Sequence, residues 1–202
     1  MAIVKPQMAS TSNGESIYTG FLPVGICNFK DRSDEFQWAD IFLSVELQPE
    51  GSDYTRFLEL NGKLDFDMNH DITGGFVLKR LYHLFDLIGF KGGINNKGTW
   101  EEEDGNIIDD IGAYLTERFS TSNPIDTSYD YMAYLYKEMP RKAGDKSYTK
   151  VHHRLFPNTP KGVQEIKDHV SWMKSKRFIK EWDGPSMNGV ATDNTAVMAE
   201  NL

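Results

Sequence analysis

The sequence predicts an α+β domain of five antiparallel strands, with a helical insertion between strands 3 and 4 and a C-terminal helix. Three observations predict it. Apolar residues alternate through Ile41, Leu43, Val45 and Leu47, they recur at helical spacing through Val77, Leu81, Leu84, Phe85 and Ile88, and turn residues punctuate the chain between such runs. With 202 residues, 39% apolar and 12% aromatic, the chain can bury one substantial core and is short for two. One domain is therefore expected over 17–182. The flanking segments 1–16 and 183–202 are rich in Ser, Thr, Asn and Gly and read as flexible tails.

Taken in order, Ile17 to Phe29 is aromatic and β-branched at intervals, with Pro23 and Gly25 marking an edge or bulge, and reads as a first strand. Phe36 to Leu47 carries the alternation and is the second. After the turn around Pro49 and Gly51, Tyr54 to Leu64 is the third, completing an antiparallel meander. Gly74 and Gly75 then open a helix from Phe76 to Ile88, which Gly89 stops. A second short helix carries Ile108, Ile111, Leu115 and Phe119, with acidic residues near its start, where the positive end of the helix dipole favours them. YDYMAYLYKE and SYTKVHHRLF, separated by MPRKAGDK, read as a hairpin of two more strands. A last helix over Val163 to Lys180 places Val163, Ile166, Val170 and Met173 on one stripe.

Charge is divided along the chain. The formal net charge is -8, yet residues 130–182 hold twelve Lys or Arg against six Asp or Glu, a surplus of six that leaves -14 on the rest. Such asymmetry bears on partners more directly than the net value does. No apolar run approaches the roughly 20 residues that a bilayer span requires, and the N-terminus has no apolar signal core. A single cysteine, Cys27, excludes an internal disulfide or a cysteine metal cluster, so a cytoplasmic protein is expected.

If Tyr148 to Phe156 alternates as a strand, Thr149, Val151, His153 and Leu155 face the core, while Tyr148, Lys150, His152, Arg154 and Phe156 face out. The outward set interleaves rings with cations, the combination a single-stranded nucleic acid needs for its bases and phosphates. Tyr134 and Tyr136 share one face of the preceding strand, and Arg141, Lys142 and Lys146 lie in the loop between. These ten residues are the candidate nucleic-acid face. On such a strand His152 and His153 point to opposite sides and cannot serve one site.

Other motifs fail specific requirements. DFDMNHD spaces Asp65, Asp67 and Asn69 like a calcium loop, but His70 replaces the glycine of the turn and Phe76 the bidentate glutamate. In GGINNKGT, Lys97 precedes Gly98 instead of Ser or Thr, so it is no triphosphate loop. No nucleophile elbow, zincin helix or dinucleotide fingerprint occurs. Neither a catalytic residue, a metal nor a cofactor is expected. Trp100, Trp172 and Trp182 read as packing residues.

LELNGKLDFD, then GGFVLKRLYHLFDLIGF, then DIGAYLTERF before YLYKE and YTKVHHRLFPN, give the stretch from about 36 to 160 a further character. In order and residue type it resembles the phage single-stranded DNA-binding proteins built on an OB-fold. The resemblance implies an OB-like barrel, a single-stranded DNA partner, work alongside phage replication or recombination proteins, and residence in the host cytoplasm. Many such proteins end in a strongly acidic tail that recruits partners. Here the tail carries only Asp183, Asp193 and Glu200, so that property does not transfer. The competing expectation is a phage structural or assembly protein whose basic ribbon meets an acidic partner.

Overall fold

The computed structural model describes residues 19–122, 126–140 and 147–182. In chain order its elements are β1 (Gly20–Asp31), a 3-10 turn (Ser33–Glu35), β2 (Ile41–Pro49), β3 (Arg56–Gly62), β4 (Asp65–Phe66), β5 (Ile72–Gly74) and α1 (Phe76–Ile88). There follow β6 (Gly93–Ile94), β7 (Trp100–Glu101), α2 (Ile111–Phe119), β8 (Tyr131–Lys137), β9 (Thr149–Val151), β10 (Phe156–Pro157) and α3 (Pro160–Ser175). The expected tails lie outside the described residues.

The main sheet runs β3–β2–β1–β8, all antiparallel, with β9 and β10 both on the outer edge of β8 as two pieces of a fifth strand. Because β3 also approaches β9, the sheet curls into a nearly closed five-strand barrel. β1 makes the corner. Its first half pairs with β8 and its second with β2, and a register break between Ile26 and Asn28 lets one strand serve both.

Alternation in β2 does what the sequence expects: Ile41, Leu43, Val45 and Leu47 are buried in the barrel, joined by Leu58 and Leu60 of β3. Helix α1 lays its whole apolar stripe, Val77, Leu81, Leu84, Phe85 and Ile88, against the same core. Gly89 ends it at φ 82, the left-handed conformation that glycine adopts without penalty. Helix α2 is capped by Asp110, which accepts from the Ala113 amide at 2.9 Å, and lies along the free edge of β1. There Thr116 and Thr121 accept hydrogen bonds from the amides of Phe29 and Ile26, satisfying donors that no strand covers. Close approach depends on Gly112, where a Cβ would sit 2.8 Å from the Asp31 nitrogen.

Helix α3 starts three residues earlier than expected. Thr159 caps the Gly162 amide and Pro160 occupies the first turn, which suits a residue without an N–H. It ends before Arg177, whose φ of 58 turns the chain back. The helix covers the outer face of β8, so Met132, Tyr134, Phe156, Ile166, Val170 and Ile179 form a second core outside the barrel. β8 is therefore buried on both faces.

Two hairpins absent from the sequence reading, β4–β5 and β6–β7, enclose the motifs that had suggested ligands. In the first turn Asp67 accepts from the Asn69 and Asp71 amides, using its carboxylate locally. In the second, Asn95 does the same for Lys97 and Thr99, and Gly98 supplies φ 87. Both are turn chemistry.

Candidate nucleic-acid interface

The seven expected binding residues that lie among the described residues do not form one open ribbon. Tyr148 is 69% exposed and Lys150 is exposed, paired with Glu138 at 2.6 Å, so alternation holds as far as Val151. It then breaks. Val151 pairs with Leu135 and Phe156 with Met132, so five steps on one strand are matched by three on the other. The two extra residues throw His152 to Leu155 out of register. His152 turns inward and is buried, Leu155 and Phe156 are both buried, and Arg154 is half-buried. Tyr134 lies beneath α3 with its hydroxyl donating to Glu181, and Tyr136 stacks on it half-buried. Tyr134, His152 and Phe156 thus lack the free ring faces a base needs. Arg141, Lys142 and Lys146 lie outside the described residues.

The same bulge overturns the separation of His152 and His153. Both rings pack together, with centroids 4.1 Å apart, and turn toward His169 on α3, whose Nε2 lies 3.1 Å from that of His152. Burial, with the neighbouring imidazoles and guanidiniums, holds His152 down to about 3 and His153 to about 2, so both are neutral at pH 7. His83 of α1 meets the Leu155 carbonyl at 3.0 Å from the other side.

An exposed aromatic surface lies elsewhere, on the outside of β1, β2 and β3 and the loop joining the first two. Outward positions come into line by register: Asn28, Glu46 and Phe57 in one row, Lys30, Ser44 and Glu59 in the next. Phe42 belongs to this outer face yet is only 3% exposed, because Phe36 stacks on it at 4.5 Å and Trp38 meets it edge-on at 5.8 Å. The Arg32 guanidinium lies over both Phe36 and Phe42, at 4.9 and 5.2 Å. Trp38 tops this stack 57% exposed, and Phe57 on β3 is 54% exposed. On the same face lies a shallow groove of about 320 Å³ lined by Asn28, Lys30, Arg32, Ser44, Glu46 and Phe57.

Glu35 governs the local charge, bonding Lys30 at 3.1 Å and Arg32 at 2.8 Å, and those two cations hold its carboxyl below the usual carboxylate range. Sequence reading missed this surface because Phe36 to Asp40 was assigned to the second strand. The signal was present in FQWAD, two aromatics at alternate positions just after Arg32 and before an apolar run. Of the tryptophans taken as packing residues, Trp100 and Trp182 are half-buried and Trp172 is exposed.

No family model matches the chain, and no solved structure matches it. A TonB-dependent receptor of Formosa agariphila is 30% identical over 91 residues, which are 45% of this chain and 9% of the receptor. The chain thus spans under a tenth of that protein's length. No helix among the described residues is long and apolar enough to cross a membrane.

Proposed function

We propose that the protein binds single-stranded DNA without strong sequence preference, as an OB-like domain serving phage DNA replication or recombination, and that the outer β1–β2–β3 face carries the contact. The strand connections support the OB-like reading. Taking β9 and β10 as strand 5, the barrel order is 3-2-1-4-5 with strand 3 returning toward strand 5, and α1 and α2 fall between strands 3 and 4. OB-folds take oligonucleotides on the strand 2–3 face and the loops beside it. Here that position holds the carrying observation: Trp38, exposed and packed on Phe36 and Phe42, whose rings Arg32 also covers, shares the face with exposed Phe57 and a groove that Lys30, Arg32 and Phe57 line.

Each part has a physical task. Exposed rings offer stacking surface to bases of any kind, and the two cations meet phosphates. Phe42 and Phe36 fix the indole, so little rotamer freedom is lost when a base lands on it.

Titration of the protein with oligo(dT) at low salt, read by tryptophan fluorescence, tests this. Quenching is expected. Trp38→Ala should cost about 1 to 3 kcal/mol of binding, as should Phe57→Ala, with the fold intact by circular dichroism. Absence of binding by the native chain at low salt, or unchanged affinity in both variants, overturns the assignment.

A further inference from the structure

Among the described residues, His152, His153 and His169 each offer a ring nitrogen within 4.8 Å of the others. They lie on the bulge after β9 and on α3, and the proposed DNA face uses none of them. We propose that these three imidazoles bind a zinc-class divalent ion, with an anionic fourth ligand held by Arg80 and Arg154. This inference stands independently of DNA binding.

Three histidines with a fourth position open are a recurrent donor set for zinc and its neighbours. The geometry needs little adjustment. Zinc–nitrogen bonds of about 2.0 to 2.1 Å set the nitrogens of a tetrahedral site roughly 3.3 Å apart. His152 and His169 already stand 3.1 Å apart. His153 is half-buried beside them, and its side-chain torsions can close the remaining gap.

The second observation concerns the surroundings. Arg80 and Arg154 both lie close enough to depress His152 and His153, and neither has a carboxylate ion pair among the described residues. The Nε of each is buried without a hydrogen-bond partner, which is costly for a charged donor. Two guanidiniums would repel a bare dication. An anion on the fourth position removes both difficulties, because it offsets the ion's charge and supplies acceptors to the arginines. A phosphate oxygen has that chemistry.

The full chain, stripped with chelator, is titrated with Zn2+ by calorimetry and with Co2+ by visible absorption. One equivalent is expected, with the intense visible bands of four-coordinate cobalt. His169→Gln and His153→Gln should each weaken binding at least tenfold, while His70→Gln, in an exposed turn, should change nothing. Thermal melts without metal confirm that the variants fold. Added inorganic phosphate should shift the cobalt spectrum of the native protein and leave that of Arg154→Gln unchanged. Lack of binding, or equal binding by His169→Gln, overturns the metal site and leaves the histidines as a hydrogen-bonded packing cluster. A native cobalt spectrum indifferent to phosphate overturns the anionic ligand.

Discussion

Asp40 stands where the aromatic loop enters β2, and its carboxylate holds Lys63 Nζ and the Leu64 amide, each at 2.8 Å. Those bonds tie the start of β2 to the end of β3. Partial burial raises its pKa, but the Lys63 and Leu64 bonds outweigh that, and the folded value falls below the ordinary one. A depressed folded pKa means stability that is complete above the unfolded value, about 3.9, and is lost as pH falls through the folded value. Asp40→Asn should therefore lower stability on the order of 1 kcal/mol at pH 7. It should also flatten the loss of stability between about pH 5 and pH 2. Urea melts across that range check both, and an unchanged acid slope would show that Asp40 carries no linkage. Nothing in the sequence near Asp40 pointed to this bond, since its partners lie 23 and 24 residues away.

At the scale of elements, what the sequence disclosed followed local periodicity. β2 and α1 were legible because each repeats one pattern over several turns or pleats, and both stripes are buried as expected. β9 was not. Four residues of YTKVHHRLF, Tyr148 to Val151, obey alternation, but the two-residue excess opposite β8 is a property of the pairing, invisible in either strand alone. The covering of Tyr134 was equally hidden, because an aromatic alternating with apolar residues fits a solvated face and a second core alike until α3 is placed. The seat of α2 on β1 is another tertiary fact, and it yields a prediction. Gly112→Ala puts a methyl 2.8 Å from the Asp31 nitrogen and 3.1 Å from the Phe29 carbonyl oxygen, both backbone atoms that cannot swing aside. The helix must lift from β1, stretching the bonds from Thr116. A loss of about 1 to 3 kcal/mol is expected, although alanine is the better helix former. A higher melting temperature in this variant would mean that α2 is free to shift.

At the scale of the whole molecule, a net charge of -8 and a phosphate-binding face must coexist. The sequence located its basic surplus in residues 130–182, while the groove proposed here draws on Lys30 and Arg32. Charge counting along the chain could not find them, because they are two cations in an acidic stretch, one on β1 and one just past its end. Their fields are partly spent on Glu35, which bonds both. That arrangement makes affinity modest and tunable. Each phosphate neutralised on a single strand contributes about -0.7 to the slope of log K against log salt, so two contacts give roughly -1.4. Lys30→Ala and Arg32→Ala should each remove about 0.7 of that slope. Glu35→Gln acts in the opposite direction. An exposed ion pair is weak, so releasing it costs little stability and frees both cations for phosphate, and oligo(dT) affinity at low salt should rise by up to about fivefold. The gain should fade as salt screens it, since Lys30 and Glu35 are exposed and Arg32 is partly so. Oligo(dT) titrations of the native protein and the three variants at several salt concentrations decide the matter: weaker binding by Glu35→Gln would mean that the carboxylate orients Lys30 and Arg32 for phosphate instead of competing for them.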